Sequence, residues 1–212
     1  MTKIFGIGLS KTGTTSLTKA LEILGYKSIH NPESWLKFDG EKLDFDFEQI
    51  VNYDTFTDLE IAYFYKQLDE LYPNSKFILT TRPIDSWLNS CRNHFHIHSK
   101  RSEKANFLVK QVYGATFCDN ETQDTFKQGY LKHEQNAKQY FHHRPDDFLI
   151  LDTGEVDKWS KLCDFLGKSV PGESYPMANK ASKVNPQLKN ILRQNPLTSK
   201  MISFVKTKIM KD

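Results

Sequence analysis

The feature that most constrains the fold is a glycine-containing loop near the start of the chain, between a short apolar run and an amphipathic one. The run KIFGIGL is β-branched and aromatic, and the run TSLTKALEILG has the spacing of an amphipathic helix that ends at Gly25. Gly8 and Gly13 have the same spacing as the two glycines of the loop G-x-x-x-x-G-K-[ST]. This order of strand, loop and helix predicts a phosphate site formed by backbone N–H groups at a helix N-terminus.

The lysine of this loop is not where an ATP-binding loop has it. In G-x-x-x-x-G-K-[ST] the lysine follows the second glycine and reaches the β and γ phosphates. Here Thr14 follows Gly13, and Lys11 lies inside the loop. Four hydroxyl groups are predicted to add donors around the anion, those of Thr12, Thr14, Thr15 and Ser16. The competing interpretation is a helix N-cap rich in Ser and Thr at which no ligand binds.

Strands and helices alternate along the rest of the chain. The predicted strands are YKSIH, YDTFTD, SKFILTTR and DDFLILD, and the predicted helices are LEIAYFYKQLDELY, PIDSWLNSCRNHF and VDKWSKLCDFLG. The acidic stretch DGEKLDFDFEQIVN is expected to cover the surface. This alternation predicts a three-layer α/β/α fold with a mostly parallel central sheet and a ligand site beyond the carboxyl ends of the strands.

We expect residues 1–212 to form a single P-loop domain. Residues 92–145 are polar and helical in pattern and are interpreted as a helical insertion. Residues 168–212 are predicted to be a Pro-rich extended segment followed by a basic helix.

Composition and charge argue against several classes of protein. The 29 Lys and Arg against 26 Asp and Glu leave a net charge of +3, too small and too dispersed to indicate a nucleic-acid surface. No apolar run approaches the roughly 18 residues of a membrane-spanning helix, and there is no signal-peptide pattern, so we expect a cytoplasmic protein. The three widely spaced cysteines are expected to be reduced, buried thiols, and the sequence does not indicate an oligomeric state.

The loop GLSKTGTTSL resembles the 5′-phosphosulfate loop of sulfotransferases, [KR]-[ST]-G-T-[ST], in enzymes that use 3′-phosphoadenosine 5′-phosphosulfate (PAPS). In that family the basic residue of the loop falls where Lys11 falls. The resemblance implies that Lys11 contacts the oxygen between the phosphate and the departing sulfuryl group. Negative charge accumulates there as the S–O bond breaks, and a cation already in place stabilises it. A metal ion is therefore not expected to be required.

A second stretch, FILTTRPIDSWLNS, is similar to the 3′-phosphate motif of the same family, in which an arginine ends a strand and a serine follows eight positions later. Arg82 and Ser90 have that spacing. A guanidinium is a forked, permanently charged donor suited to a phosphate dianion. For an isolated Arg82 a surface ion pair would be the better interpretation, but two motifs with the correct order and separation favour the phosphate site.

The tail adds a weaker likeness. WSKLCDFLGKSVPGESYPMANK looks like the end segment of a bacterial, fungal and plant sulfotransferase subgroup. YDTFTDLEIAYFYKQLDELYPNSKFILTTR resembles the aspartate-containing strand and helix of that subgroup. The resemblance is weakest over residues 92–145, the helical insertion, which is expected to lie on the acceptor side. Lys180 and Lys183 are expected either to add positive charge near the nucleotide or to belong to a solvated basic tail.

The resemblance implies three candidates for the base that takes a proton from the acceptor. In phenol-sulfating relatives a catalytic histidine follows a strand in the stretch K-T-H-L-P, and FTDLE places Asp58 at that position. In heparan-type relatives the base is a glutamate after the second strand. Glu33 stands 22 residues after Lys11, with His30 nearby. We rank Asp58 first, with Glu33 and His30 behind it.

Each of these candidates also has a structural interpretation. Asp58 is a favoured residue type for the N-cap of the following helix, and Glu33 for a charge in a first helical turn. His30 could be an ordinary residue at a strand end.

The stretch HFHIH contains alternating histidines at positions 94, 96 and 98. On a strand they could present a face to a metal ion, but the segment is expected to continue a helix, where residues two apart diverge. We therefore expect no metal site.

Together these motifs predict a PAPS-dependent sulfotransferase. Its acceptor is expected to be the hydroxyl, or less favourably an amine, of a small molecule or carbohydrate. One alternative is a P-loop kinase or related phosphotransferase, for which Asp152 of FLILD is the nearest candidate metal ligand. The other is a nucleotide-binding module without catalysis. Four aromatic residues are candidates to line the acceptor pocket, although core packing explains them equally well: Trp35, Phe38, Phe95 and Tyr113.

Overall fold

A parallel five-stranded sheet organises the computed structural model, which describes residues 2–178. The strands in chain order are β1 Ile4–Gly6, β2 Ser28–His30, β3 Leu36–Phe38, β4 Leu43–Phe45, β5 Thr55–Thr57, β6 Lys76–Thr81 and β7 Phe148–Asp152. The order across the main sheet is β2-β5-β1-β6-β7, and every pairing in it is parallel. Strands β3 and β4 form a separate antiparallel hairpin.

The helices of residues 2–178 lie on both faces of this sheet. They are α1 Thr14–Ile23, α2 Leu59–Tyr63, α3 Tyr65–Leu71, α4 Ile84–His94, α5 Glu103–Tyr113, α6 Gln123–Tyr140 and α7 Lys158–Leu166. Neighbouring side chains of a strand point to opposite faces, so Phe5 and Phe77 join one buried core, and Ile4 and Ile78 join another. The predicted three-layer α/β/α fold is confirmed.

The central position of β1 places the loop that follows it at the middle of the sheet. Strands β5 and β6 flank β1 on its two sides. Because all three strands run in the same direction, the residues after Gly6, Thr57 and Thr81 emerge at the same edge. The predicted ligand site therefore has residues from three separate parts of the sequence within reach.

The single helix predicted over LEIAYFYKQLDELY is wrong, because the structure has two helices that meet at Phe64. Phe64 packs against Phe45, with ring centroids 5.3 Å apart, whereas Tyr65 packs against Tyr140 at 5.4 Å. Adjacent residues of a continuous helix point about 100° apart, so the break allows both rings to be buried on different sides.

The structure also differs from the sequence prediction in two loops. The acidic stretch expected to cover the surface contains β4 and a 3-10 turn over Phe47–Asn52, with Phe45 and Ile50 buried. The helix expected to continue through HFHIH ends at His94, and the later histidines lie in the turn that follows.

The C-terminal prediction is tested only in part. Residues 168–178 contain no helix or strand, as expected of an extended segment. The predicted basic helix, with Lys180 and Lys183, lies outside the described residues. All three cysteines are free and buried, as predicted. Within residues 2–178, no helix has both the length and the apolar character needed to cross a membrane.

Candidate functional site

The loop after β1 presents backbone N–H groups at the N-terminus of α1. Lys11 and Gly13 both adopt left-handed backbone conformations, with φ of 74° and 96°. Gly13 is the N-cap of α1 and no side chain caps this end. The N–H of Leu17 donates to the Gly13 carbonyl at 3.0 Å. The N–H groups of the three residues at the start of α1, from Thr14 to Ser16, precede that bond and point out of the helix, where an anion would accept from them.

Contacts from three distant elements hold this loop in place. A Cβ atom at Gly8 would lie 1.8 Å from Thr80 Oγ1, so glycine is required for the loop to pack on β6. The indole N–H of the fully buried Trp87 donates to the Ser10 carbonyl at 3.0 Å. His133 on α6 donates from Nε2 to the Ile7 carbonyl at 2.7 Å. Sequence reasoning missed Trp87 and His133, because their partners are remote in the chain.

Lys11 and Arg82 provide the positive charge of the site. Within residues 2–178, the Lys11 amino group has neither an ion-pair nor a hydrogen-bond partner. Arg82 follows β6, and its Nη1 donates to the Lys11 carbonyl at 3.3 Å while its Nε donates to Ser86 Oγ at 3.0 Å. Tyr130 fixes the backbone of Arg82 by accepting from its N–H and donating to its carbonyl, each at 3.0 Å. Ser90 lies one turn after Ser86 on α4.

The predicted hydroxyl donors differ in what they contact. Thr12 is fully buried, and its hydroxyl bonds to the Leu9 carbonyl and to Thr80 Oγ1 within the protein. This geometry does not support the predicted role of the Thr12 side chain as a donor to the phosphate. Thr15 Oγ1 lies 3.1 Å from Nε2 of His30, and Ser16 Oγ accepts from the N–H of Ala178.

Asp58 lies beside the loop, at the end of β5. Its Oδ1 accepts from the hydroxyl of Ser10 at 2.8 Å and from the N–H of Leu59 at 2.9 Å, so it does cap α2. Its φ of 97° and ψ of −170° fall in a region that is almost exclusive to glycine. Such strain costs about 1–3 kcal/mol and is typical of functional sites. The backbone is therefore held in a costly conformation at the residue ranked first as the base.

His30 and Asp58 form a pair at the edge of the loop. Nε2 of His30 lies 3.4 Å from Oδ2 of Asp58, and Nδ1 lies 2.9 Å from the hydroxyl of Thr57. Thr18 donates to the Thr14 carbonyl, and its hydroxyl also lies 2.6 Å from Thr57 Oγ1. The His30 ring is therefore held between the Thr57 hydroxyl at Nδ1 and the Thr15 hydroxyl and Asp58 carboxylate at Nε2.

Glu33 is directed elsewhere. Its Oε1 accepts from the hydroxyl of Ser102, the N-cap of α5, so it is tied to that helix. The structure instead brings a carboxyl that sequence reasoning missed close to Asp58. Glu60 is 3% exposed, and burial, then the negative charges of Asp58 and Glu33, raise its pKa to about 8. No sequence signal marks it, because a glutamate in a first helical turn is ordinary.

The histidine stretch is divided by the end of α4. Partial burial and the positive charge of Lys11 lower the pKa of His94 to about 4, so this ring is neutral at physiological pH and lies near the loop. Residues 2–178 contain no group of three His, Cys, Asp or Glu side chains that could hold a metal ion. Asp152 accepts from Thr81 Oγ1 at 2.9 Å and from the N–H of Gly154 at 2.7 Å.

Two of the four aromatic residues considered for the acceptor pocket belong to the core. Phe95 and Tyr113 are 2% and 1% exposed and pack together on Phe126. The Tyr113 hydroxyl lies against Ser10 without a well-formed hydrogen bond. Trp35 and Phe38 are only partly buried.

Comparison with known proteins identifies the family of the chain. Residues 3–184 match the family model described as a sulfotransferase domain. The chain belongs to this family. It is also similar to "Ava biosynthesis cluster protein M" of Aspergillus versicolor, with 31% identity in an alignment of length 207 that covers 82% of this chain and 79% of that protein. Membership of the sulfotransferase family supports a transferase that moves sulfuryl groups in general.

Proposed function

We propose that the protein transfers the sulfuryl group of PAPS to the hydroxyl of a small-molecule or carbohydrate acceptor, with an amine as the less favoured nucleophile. The observation that carries the proposal is the position of Lys11. Lys11 lies inside the loop and has a left-handed backbone conformation. Its amino group has no ion-pair or hydrogen-bond partner among residues 2–178, and Arg82 donates to its carbonyl oxygen. One contact therefore joins the residues assigned to the two phosphate groups of the donor.

The residues present fit an anionic nucleotide. The N–H groups at the start of α1, with Thr15 and Ser16, would hold the 5′-phosphosulfate. Arg82 and Ser90 would hold the 3′-phosphate, with Ser86 fixing the guanidinium through Nε. PAPS, when bound, supplies an activated sulfuryl group on a phosphate leaving group. The Lys11 cation would stabilise the charge that develops on this phosphate without reorganisation.

The pair of His30 and Asp58 is the proposed base. With its ring hydrogen on Nδ1, His30 would take the proton of the acceptor hydroxyl at Nε2, and the negative charge of Asp58 would stabilise the imidazolium that forms. The acceptor oxygen then bonds to sulfur as the bond between sulfur and the phosphate oxygen breaks, and the electron pair stays on the phosphate. In this proposal His30 takes the proton, Asp58, which the sequence ranked first, supplies the charge that supports it, and Glu33 has no part in the pair.

The acceptor class has support from outside the site as well. The relative from Aspergillus versicolor is named as a member of a biosynthesis cluster, which fits an acceptor that is a small molecule. Trp35 and Phe38 stay candidates to line the acceptor pocket, with rings that are partly buried and pack on Phe45 and Phe107.

The test combines a binding measurement with a turnover measurement. Adenosine 3′,5′-bisphosphate (PAP) without magnesium should raise the melting temperature, and the stabilisation grows with PAP concentration as mass action requires. Lys11→Ala should reduce sulfuryl transfer to a panel of phenols, sugars and amines about 100-fold or more, with a smaller loss of PAP binding. Lys19→Ala, at an exposed position of α1, is the matched control and should behave like the wild type.

Each alternative function has a distinct outcome in this experiment. Stabilisation by Mg-ATP and not by PAP would favour a kinase and contradict the proposal. Stabilisation by PAP, with no transfer to any member of the panel and no effect of Lys11→Ala on PAPS turnover, would favour a binding module without catalysis.

A further inference from the structure

Glu60 is a buried carboxyl in the first turn of α2, two residues after Asp58. The residue is 3% exposed, and its Oε2 has no hydrogen-bond partner among the described residues. A buried carboxylate with an unsatisfied oxygen is unfavourable, because neither water nor a protein donor forms a hydrogen bond to that oxygen. Such a group needs an explanation, since simple packing would be served better by an apolar side chain.

The charged groups around Glu60 come from three different elements, and most of them repel a carboxylate. Asp58 lies at the end of β5 and Glu33 in the 3-10 turn after β2, and both oppose the ionisation of Glu60. Lys104 on α5 favours ionisation, as does the backbone N–H of Glu60 itself, but the Lys104 amino group donates to the Leu36 carbonyl at 3.0 Å. Burial and the two acidic neighbours prevail, so the pKa of Glu60 is raised to about 8.

Asp58 and Glu60 therefore have opposite environments although they are close in the chain. The Asp58 carboxylate accepts from the Ser10 hydroxyl at 2.8 Å and from the Leu59 N–H at 2.9 Å. Glu60 Oε2 accepts no such bond within residues 2–178. Of these two neighbouring carboxyls, Glu60 is the one with a buried oxygen that no donor stabilises.

We propose that Glu60 is a positioning residue of the transfer reaction, a neutral carboxylic acid whose ionisation adds a second negative charge beside Asp58 and suppresses the reaction. This inference rests on the proposed function. The donor is a polyanion and the transition state retains its negative charge, so another buried negative charge nearby destabilises both relative to the free donor. The destabilisation is the same whether the proton is on the acceptor or on the base, because moving it within the site does not change the total charge of the bound reactants.

The experiment measures kcat/KM for PAPS between about pH 6 and pH 10. The wild type should lose about tenfold in kcat/KM as Glu60 ionises, with the midpoint near its pKa of about 8. Glu60→Gln should remove this step and retain activity at alkaline pH. Glu70→Gln, at an exposed position of α3, is the matched control and should keep the profile of the wild type.

A second measurement uses the wild type alone, in case Glu60→Gln does not fold. PAP binding at about pH 9 should be accompanied by proton uptake, because the bound anion raises the pKa of a nearby acid. Calorimetry in buffers of different ionisation enthalpy detects this uptake. An active Glu60→Gln enzyme with the alkaline step of the wild type, or PAP binding without proton uptake, would overturn the inference about Glu60 alone. Failure of the wild type to bind PAP at neutral pH would overturn the proposed function as well.

Discussion

Replacing Glu60 with Gln should change how the stability of the protein depends on pH. In the folded protein, burial and the charges of Asp58 and Glu33 raise the pKa of Glu60 from 4.5 to about 8. In the unfolded chain the group ionises at its ordinary pKa. The folded protein therefore binds a proton that the unfolded chain has released at neutral pH. The contribution of Glu60 to the free energy of unfolding is therefore greatest below pH 4.5, and it falls as the pH rises towards 8.

The size of the effect follows from the displacement of this pKa. Each pKa unit corresponds to about 1.4 kcal/mol. Between pH 4.5 and pH 7, Glu60 should lower the free energy of unfolding of the wild type by about 3 kcal/mol. Gln has a similar shape and no proton to release, so Glu60→Gln lacks this slope. A hydrogen bond gained or lost by the Gln side chain shifts the free energy of unfolding by the same amount at every pH, so it does not change the pH dependence of the difference from the wild type.

Urea unfolding at several pH values, followed by tryptophan fluorescence, measures the difference. Trp87 is fully buried and Trp159 nearly so, and both should report on loss of the fold. The stability of Glu60→Gln relative to the wild type should increase by about 3 kcal/mol from pH 4.5 to pH 7. Glu70→Gln should leave the pH dependence of the wild type unchanged. A difference for Glu60→Gln that does not vary with pH would refute the reasoning, because it would mean that Glu60 is ionised in the folded protein.

Two further predictions concern the loop and the proposed base. Gly8→Ala places a methyl group 1.8 Å from Thr80 Oγ1 and 2.7 Å from the Thr80 carbonyl oxygen, so PAP should no longer raise the melting temperature. Gly172→Ala, with no atom within 4 Å of the added carbon, should respond to PAP like the wild type. Asp58→Asn removes the charge but keeps a residue type that caps helices and tolerates positive φ, so PAP affinity should change little while turnover falls about 100-fold or more. Undiminished turnover in that variant would leave Asp58 as a helix cap alone.

The parts of the site that the sequence predicted are those encoded within a short stretch of chain. Gly8, Lys11 and Gly13 lie in a single loop between a strand and a helix, and their spacing is visible without any tertiary contact. Arg82 was identifiable because its stretch resembles the 3′-phosphate motif, in which an arginine ends a strand and a serine follows eight positions later. The sequence did not single out one base, because Asp58, Glu33 and His30 are all ordinary residue types for the ends of secondary structure.

The sequence by itself determined the alternation of strands and helices, and hence the α/β class and the loop at the N-terminus of α1. Hydrophobic periodicity and glycine spacing are local properties, and local properties suffice for these features. Only the tertiary structure decided that His30 pairs with Asp58 and that Glu33 joins α5. It also decided that Glu60 loses contact with water. The physical reason is that burial and charge depend on which segments pack together, and the order β2-β5-β1-β6-β7 brings together strands that are distant in the chain.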